Sequence, residues 1–210
     1  MKDIKNDVLK GLSAKQKKTM ASIINQKVDV KQRVNPALMM MAQRGFMKQW
    51  KMSDFSDLNQ LKGRDFEKGK NFFGAASCTA CHRLGEYGGV IGPDLTGAGG
   101  RFSAKDLLEA IIEPSKQISD QYSSLNFYLK NGTSLNGRIA NLKDDHYRII
   151  TDLNNPGQMT HIKVKDIKKM EPAKISMMPP GLINMMKKEE VLDLLAYILS
   201  RGDKNNAMFQ

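Results

Sequence analysis

Cysteine is nearly absent from this 210-residue chain: Cys78 and Cys81 are the only two, alongside three histidines and a single tryptophan. A structural zinc site needs four ligands, and only His146 and His161 could complete one around these thiols, without finger-like spacing. Aromatics are 7% of residues. None of the helix, finger or aromatic-sheet signatures of nucleic-acid binders is present, so no nucleic acid is expected. Long apolar runs are missing. No stretch approaches the ~20 residues needed to span a bilayer. The first twenty residues never place more than two apolar residues together, so no secretory leader is visible. Internal repeats, low-complexity segments, a Ser/His/Asp set and a phosphate loop are also lacking.

What is present is an ordinary globular composition, 40% hydrophobic and 26% charged, sufficient for one core and a smaller appendage. The charge balance is +11. Residues 1–33 alone hold nine Lys/Arg against three Asp. Such a surface attracts acidic partners at a salt-dependent rate.

The punctuation along the chain predicts helices at both ends and strands between them. Ser13 and Gln16 form a capping-box pattern ahead of Met20, Ile24 and Val28, which predicts a helix from about 14 into the low thirties. Asn35-Pro36 opens a second helix that Gly45 closes. Its methionines at 39–41 read as adaptable packing residues rather than a soft-metal site. Asp65 caps a helix running into the cysteines, and Ser103 with Asp106 opens another that Pro114 ends. Between these two lies "LGEYGGVIGPDLTGAGG", whose glycines imply backbone held close against something.

From about residue 122 the apolar period changes to two. Leu125, Phe127 and Leu129 alternate with polar neighbours, Asn131-Gly132 is a hairpin turn, and Leu135 and Ile139 continue the face. At least two further strands follow, and four or so should close into a small antiparallel sheet or barrel. The chain returns through "SMMPPGL" to a final helix with a Val191, Leu194, Leu195, Ile198 stripe, followed by Gly202 and a tail without pattern.

Two thiols three positions apart, with a histidine directly after the second, form the attachment signal for c-type haem. One helical turn separates Cys78 from Cys81, so both sulfurs can reach one porphyrin edge while His82 projects toward iron. A thioredoxin-type dithiol would need a βαβ setting that residue 78 lacks, and a disulfide across two residues would add little closure entropy. For a second axial ligand the candidate is Met178, held extended by Pro179, with Met177 the alternative. His146 and His161 read as ordinary strand residues.

The ordered set "FEKGKNFF", "CTACH", "GPDLTG", "GRFSAKDLLEAIIEPSKQISDQY", "SMMPPGL" and "EEVLDLLAYILS" resembles class I cytochrome c, and within it the haem-binding domain of the Pirellula/Verrucomicrobium type. The resemblance implies a mainly α cytochrome c fold interrupted by the β insertion, α+β overall. Residues 61–119 with 173–202 would form the cytochrome, 120–172 the insertion, 203–210 a flexible tail, and 1–60 the helical end of a preceding region. It further implies that Gly69 and Phe73 pack on Tyr197, that the Pro93 carbonyl orients His82, that Arg101 lies near a haem propionate, and that Met178 ligates iron. Haem c, one per chain, would be the cofactor. Because it is attached outside the cytoplasm, a periplasmic or otherwise exported setting follows.

The function expected is a one-electron carrier, not itself an enzyme, serving a redox partner with an acidic docking surface and associated with an exported dehydrogenase-like protein. A haem-based sensor, with a labile methionine displaced by a small ligand, is the alternative from another class. For the insertion two readings stand side by side: a docking surface that braces the Met178 loop, or a tolerated surface elaboration.

Overall fold

The computed structural model describes residues 13, 14, 16, 35–58, 61–153 and 155–210. It divides into two units, Met1–Val34 and Asn35–Gln210. In the first, the Gln16 side-chain oxygen accepts from the Ser13 N–H (2.9 Å) and hydroxyl (2.8 Å), and Ser13 Oγ accepts from the Gln16 N–H, closing the expected capping box. The helix expected beyond it lies outside the described residues.

The second unit begins with α1, Pro36–Arg44. Asn35 Oδ1 caps it by accepting from the Ala37 N–H at 2.9 Å, and Gly45 ends it at φ 73°, the left-handed conformation glycine adopts without strain. The Asn35 amide also donates to the Asn71 carbonyl at 2.7 Å and so ties α1 to α2, Phe66–Ala75, whose own cap is Asp65. Helix α3, Cys78–Cys81, is a single turn. It runs into a two-stranded hairpin of β1, Arg83–Leu84, and β2, Tyr87–Gly88. Helix α4, Ala104–Ile112, opens with the Ser103/Asp106 capping box and stops before Pro114.

Strands β3 (Leu125–Leu129), β4 (Ser134–Lys143), β5 (His146–Ile150), β6 (Thr160–Lys163) and β7 (Ile167–Pro172) follow. They form one antiparallel sheet in the order β6-β5-β4-β3-β7, a four-stranded meander with the fifth strand returning beside the first. The chain ends with α5, Lys188–Leu199, and a 3-10 turn, Ala207–Phe209.

Two cores result. The helical core holds Met41, Phe72, Leu108, Met186, Val191, Leu194, Leu195 and Ile198, all essentially without solvent contact. The sheet has its own small cluster of Phe127, Ile149 and Ile162, with Leu125, Leu129, Leu135 and Ile139 at its margin. This is the face the alternation of apolar residues implies. A bulge between Ile139 and Asn141 shifts the β4 register, so the alternation breaks where β4 leaves the cluster.

The chain enters and leaves the sheet at one place. The Ala173 N–H donates to the Ser124 carbonyl at 2.9 Å, and the Ser176 N–H to Ser115 Oγ at 3.0 Å.

Two segments differ from the expected division. Residues 35–58, expected with the N-terminal segment, lie in the same compact unit as α5: the Trp50 ring N–H donates to the Met186 carbonyl at 3.2 Å, and Arg44 pairs with Glu190 at 2.6 Å. The 203–210 tail is also tied down. Asn206 caps its 3-10 turn, and the Arg64 N–H donates to the Met208 carbonyl at 2.8 Å. Phe209 meets Phe66 edge-on at 5.3 Å between ring centres, a favoured aromatic geometry. A single aromatic docking on a remote helix leaves no periodic trace in eight residues of sequence.

Candidate haem-attachment site

The site is built on the crossing of α2 and α5. At Gly69 a Cβ would sit 2.3 Å from the Asp193 carbonyl and 2.7 Å from Tyr197 Cβ, so only glycine permits this approach. Phe73 and Phe66 both rest on the Tyr197 ring, at 5.7 and 5.4 Å between centroids. This firm crossing carries α2 directly into the cysteines.

Ser77 takes a left-handed conformation, φ 61° and ψ 15°, which turns the chain sharply from α2 into α3. Cys78 and Cys81 then stand one helical turn apart, both half-buried free thiols. Burial pushes the Cys78 thiol up to about 12, and burial also raises Cys81, because the charged thiolate is the form that desolvation disfavours.

His82 ends the turn with its N–H on the Cys78 carbonyl at 2.8 Å. Its Nδ1 lies 2.8 Å from the Pro93 carbonyl, which fixes Nδ1 as the protonated nitrogen and leaves Nε2 with a free lone pair. Burial lowers the imidazole pKa and the Pro93 contact opposes that; the net direction favours the neutral ring, the form that binds a metal. Gly92 lies flush on the ring: a Cβ there would come within 2.8 Å of Cε1 and 3.0 Å of Nδ1.

The loop that supplies Gly92 and Pro93 runs beside the cysteine segment. The Gly92 N–H donates to the Cys81 carbonyl and the Leu95 N–H to the Arg83 carbonyl, both at 2.8 Å. Asp94 accepts from the Thr96 N–H at 2.8 Å and from Arg83 Nε at 3.0 Å. The Thr96 hydroxyl, the Thr96 N–H and Arg83 together hold its carboxyl well below the usual carboxylate range.

Met178 is half-buried against the helical core, its N–H on Ser176 Oγ at 3.1 Å; Met177 is half-buried as well. Arg101 is exposed, its guanidinium 5.8 Å from the Phe102 ring centre. His146 and His161 lie on β5 and β6, where they line an open cleft of ≈ 670 Å³ at the sheet, in a different part of the fold from the cysteines. His146 Nδ1 lies 2.6 Å from Asp145. Among the described residues no group of three or more His, Cys, Asp or Glu is placed to hold a metal ion.

Sequence reasoning missed Arg138, whose guanidinium donates to the Ile91 carbonyl, and the Asp94–Thr96–Arg83 lock. The second had a local signal in Asp-x-Thr, an Asx-turn pattern. The first spans 47 positions and had none.

The donor set suits an iron porphyrin held by two thioethers and one imidazole: two thiols on one turn, and a histidine whose Nδ1 is committed to Pro93 while Nε2 is not. No helix among the described residues is long and apolar enough to cross a membrane. No curated protein gives a match to the chain. Residues 66–150 match the family model for Cytochrome c, a segment that contains Cys78, Cys81 and His82; the match supports a class I c-type cytochrome domain there, and such a domain implies covalently bound haem c.

Proposed function

We propose that the chain is a one-electron carrier in which Cys78 and Cys81 would hold the porphyrin and His82 Nε2 and Met178 would ligate its iron, with Met177 the alternative. The observation that carries this reading is the Nδ1–Pro93 hydrogen bond beside two adjacent thiols. It commits one nitrogen of His82, raises the basicity of the other and fixes the ring plane. When bound, the haem supplies an Fe(II)/Fe(III) couple, and a thioether ligand raises its potential relative to harder donors. Met178 suits that role because Pro179 restricts its backbone and Ser176 holds its N–H. Arg101 is the cation assigned to a propionate.

The net charge of +11 favours an acidic docking surface on the redox partner, with association that slows as salt rises. The setting is periplasmic or otherwise exported, with the domain acting for an attached or partner dehydrogenase, as its likeness to the Pirellula/Verrucomicrobium-type domain suggests.

The test is protein made with the haem-attachment machinery, examined by intact mass and by oxidised and reduced spectra. The expected result is one covalent haem and a ferric methionine–iron charge-transfer band, lost in Met178→Ala and retained in Met177→Ala. A chain without covalent haem would overturn the proposal. A haem protein that lacks the band and binds carbon monoxide readily when reduced would be the sensor instead.

A further inference from the structure

The β sheet and the cysteine segment are far apart in sequence, yet one side chain joins them. Arg138 lies near the middle of β4, paired with Ile150 on β5. Its backbone is anchored by the preceding Gly137, where a Cβ would meet Ile149 Cγ2 at 2.5 Å and the Ile150 carbonyl at 2.6 Å. The half-buried guanidinium sits 5.5 Å from the Tyr122 ring centre, within the range of a cation–π contact. Through one terminal nitrogen it donates to the Ile91 carbonyl. Ile91 directly precedes Gly92, which lies on the His82 ring, and Pro93, whose carbonyl meets Nδ1.

The 91–95 segment is thus held from two sides. Gly92 and Leu95 bond to the Cys81 and Arg83 carbonyls, while Arg138 takes hold of Ile91 from the sheet. A hydrogen bond from a cationic donor is stronger than one between two neutral groups, and stacking on Tyr122 limits where the guanidinium can go.

From this geometry we infer that Arg138 is a positioning residue for His82: by holding the Ile91 carbonyl it fixes the segment that packs on the imidazole and accepts its Nδ1–H. The insertion thereby braces the histidine side of the site. The inference rests on His82 being the iron ligand only for its consequence at the metal; the effect on the 91–95 segment stands without it.

The experiment compares Arg138→Met, Arg138→Lys and a sheet control, Ile149→Val, in haem-free and haem-loaded protein. In Arg138→Met, amide hydrogen exchange at Gly92 and Leu95 should quicken about tenfold in both forms. In the reduced holoprotein the His82 Nδ1–H should exchange faster as well, and in the ferric form the haem methyl proton shifts should redistribute as the ring plane turns. Arg138→Lys, which keeps one cationic donor, should restore most of both.

Unchanged exchange and methyl shifts in Arg138→Met would overturn the inference. So would equal changes in Ile149→Val, since sheet integrity rather than the arginine would then be responsible. Failure of wild-type protein to take up haem would refute the carrier reading alone, because the amide measurement does not require it.

Discussion

Asp94 shows how much of the site rests on one short polar side chain. Its carboxylate closes a turn with Thr96 and clamps Arg83, the residue directly after His82, so the two segments of the site are joined by charge as well as by backbone. The Thr96 hydroxyl and N–H and the Arg83 guanidinium all favour the ionised form, which places the folded-state pKa below the ordinary value of 3.8. A carboxyl depressed in this way contributes stability above its unfolded pKa and loses it as pH falls through the folded value. The haem-free domain should therefore lose stability on acidification below pH 3.8, and Asp94→Asn should flatten that part of the curve while lowering stability at neutral pH. Urea unfolding at neutral pH and from about pH 4 down to about pH 2 measures both effects. Parallel acid limbs in the two proteins would show that the clamp carries no linkage. The candidate attachment motif was legible because Cys78, Cys81 and His82 are neighbours in sequence. The clamp was half legible, since Asp-x-Thr announces a turn but not that Arg83 would close on it.

Helix α2 shows where element-level reading succeeds and where it stops. Asp65 announced its start and Phe73 its buried face, and both stand as the periodicity implies. The cost of the crossing with α5 is visible only in three dimensions. Gly69→Ala would gain about 1 kcal/mol of helix propensity. Against that, its Cβ would stand 2.3 Å from the Asp193 carbonyl, a backbone atom inside α5 that cannot rotate aside. Overpacking of this kind costs about 1–3 kcal/mol, so the clash should prevail and the midpoint of denaturant unfolding should fall. An unchanged or raised midpoint would mean that α2 and α5 can separate without penalty. Helix α5 carries the same lesson at its start. Glu190 takes the Lys187 N–H at 2.8 Å, as acidic residues in a first turn favour. Its second role, as partner of Arg44 on α1, was not readable.

Across the whole molecule, the sheet keeps a core of its own and meets the cysteine segment through Arg138 at the Ile91 carbonyl. Phe127, fully buried between Ile149, Ile162 and Tyr147, is its centre. Phe127→Ala should cost about 3–5 kcal/mol, felt first in the sheet. Hydrogen exchange should show the amides of 125–172 losing protection while those of α2 and α5 keep theirs. Equal loss in both would make the two cores one cooperative unit. Local order in the chain sufficed for features that depend on near neighbours: the spacing of Cys78, Cys81 and His82, the helix caps at Asn35, Asp65 and Ser103, the hairpin at Asn131-Gly132, and the change of period at the sheet. These follow from local geometry, where a residue's partner is at most a turn or a strand away. Tertiary structure alone decided that 35–58 and the tail join the helical core, that the insertion closes at Ser124 and Ala173, and that Arg138 reaches the Ile91 carbonyl. Those contacts are chosen by which surfaces meet when the two cores form, and no spacing within the chain encodes which carbonyl an arginine will find.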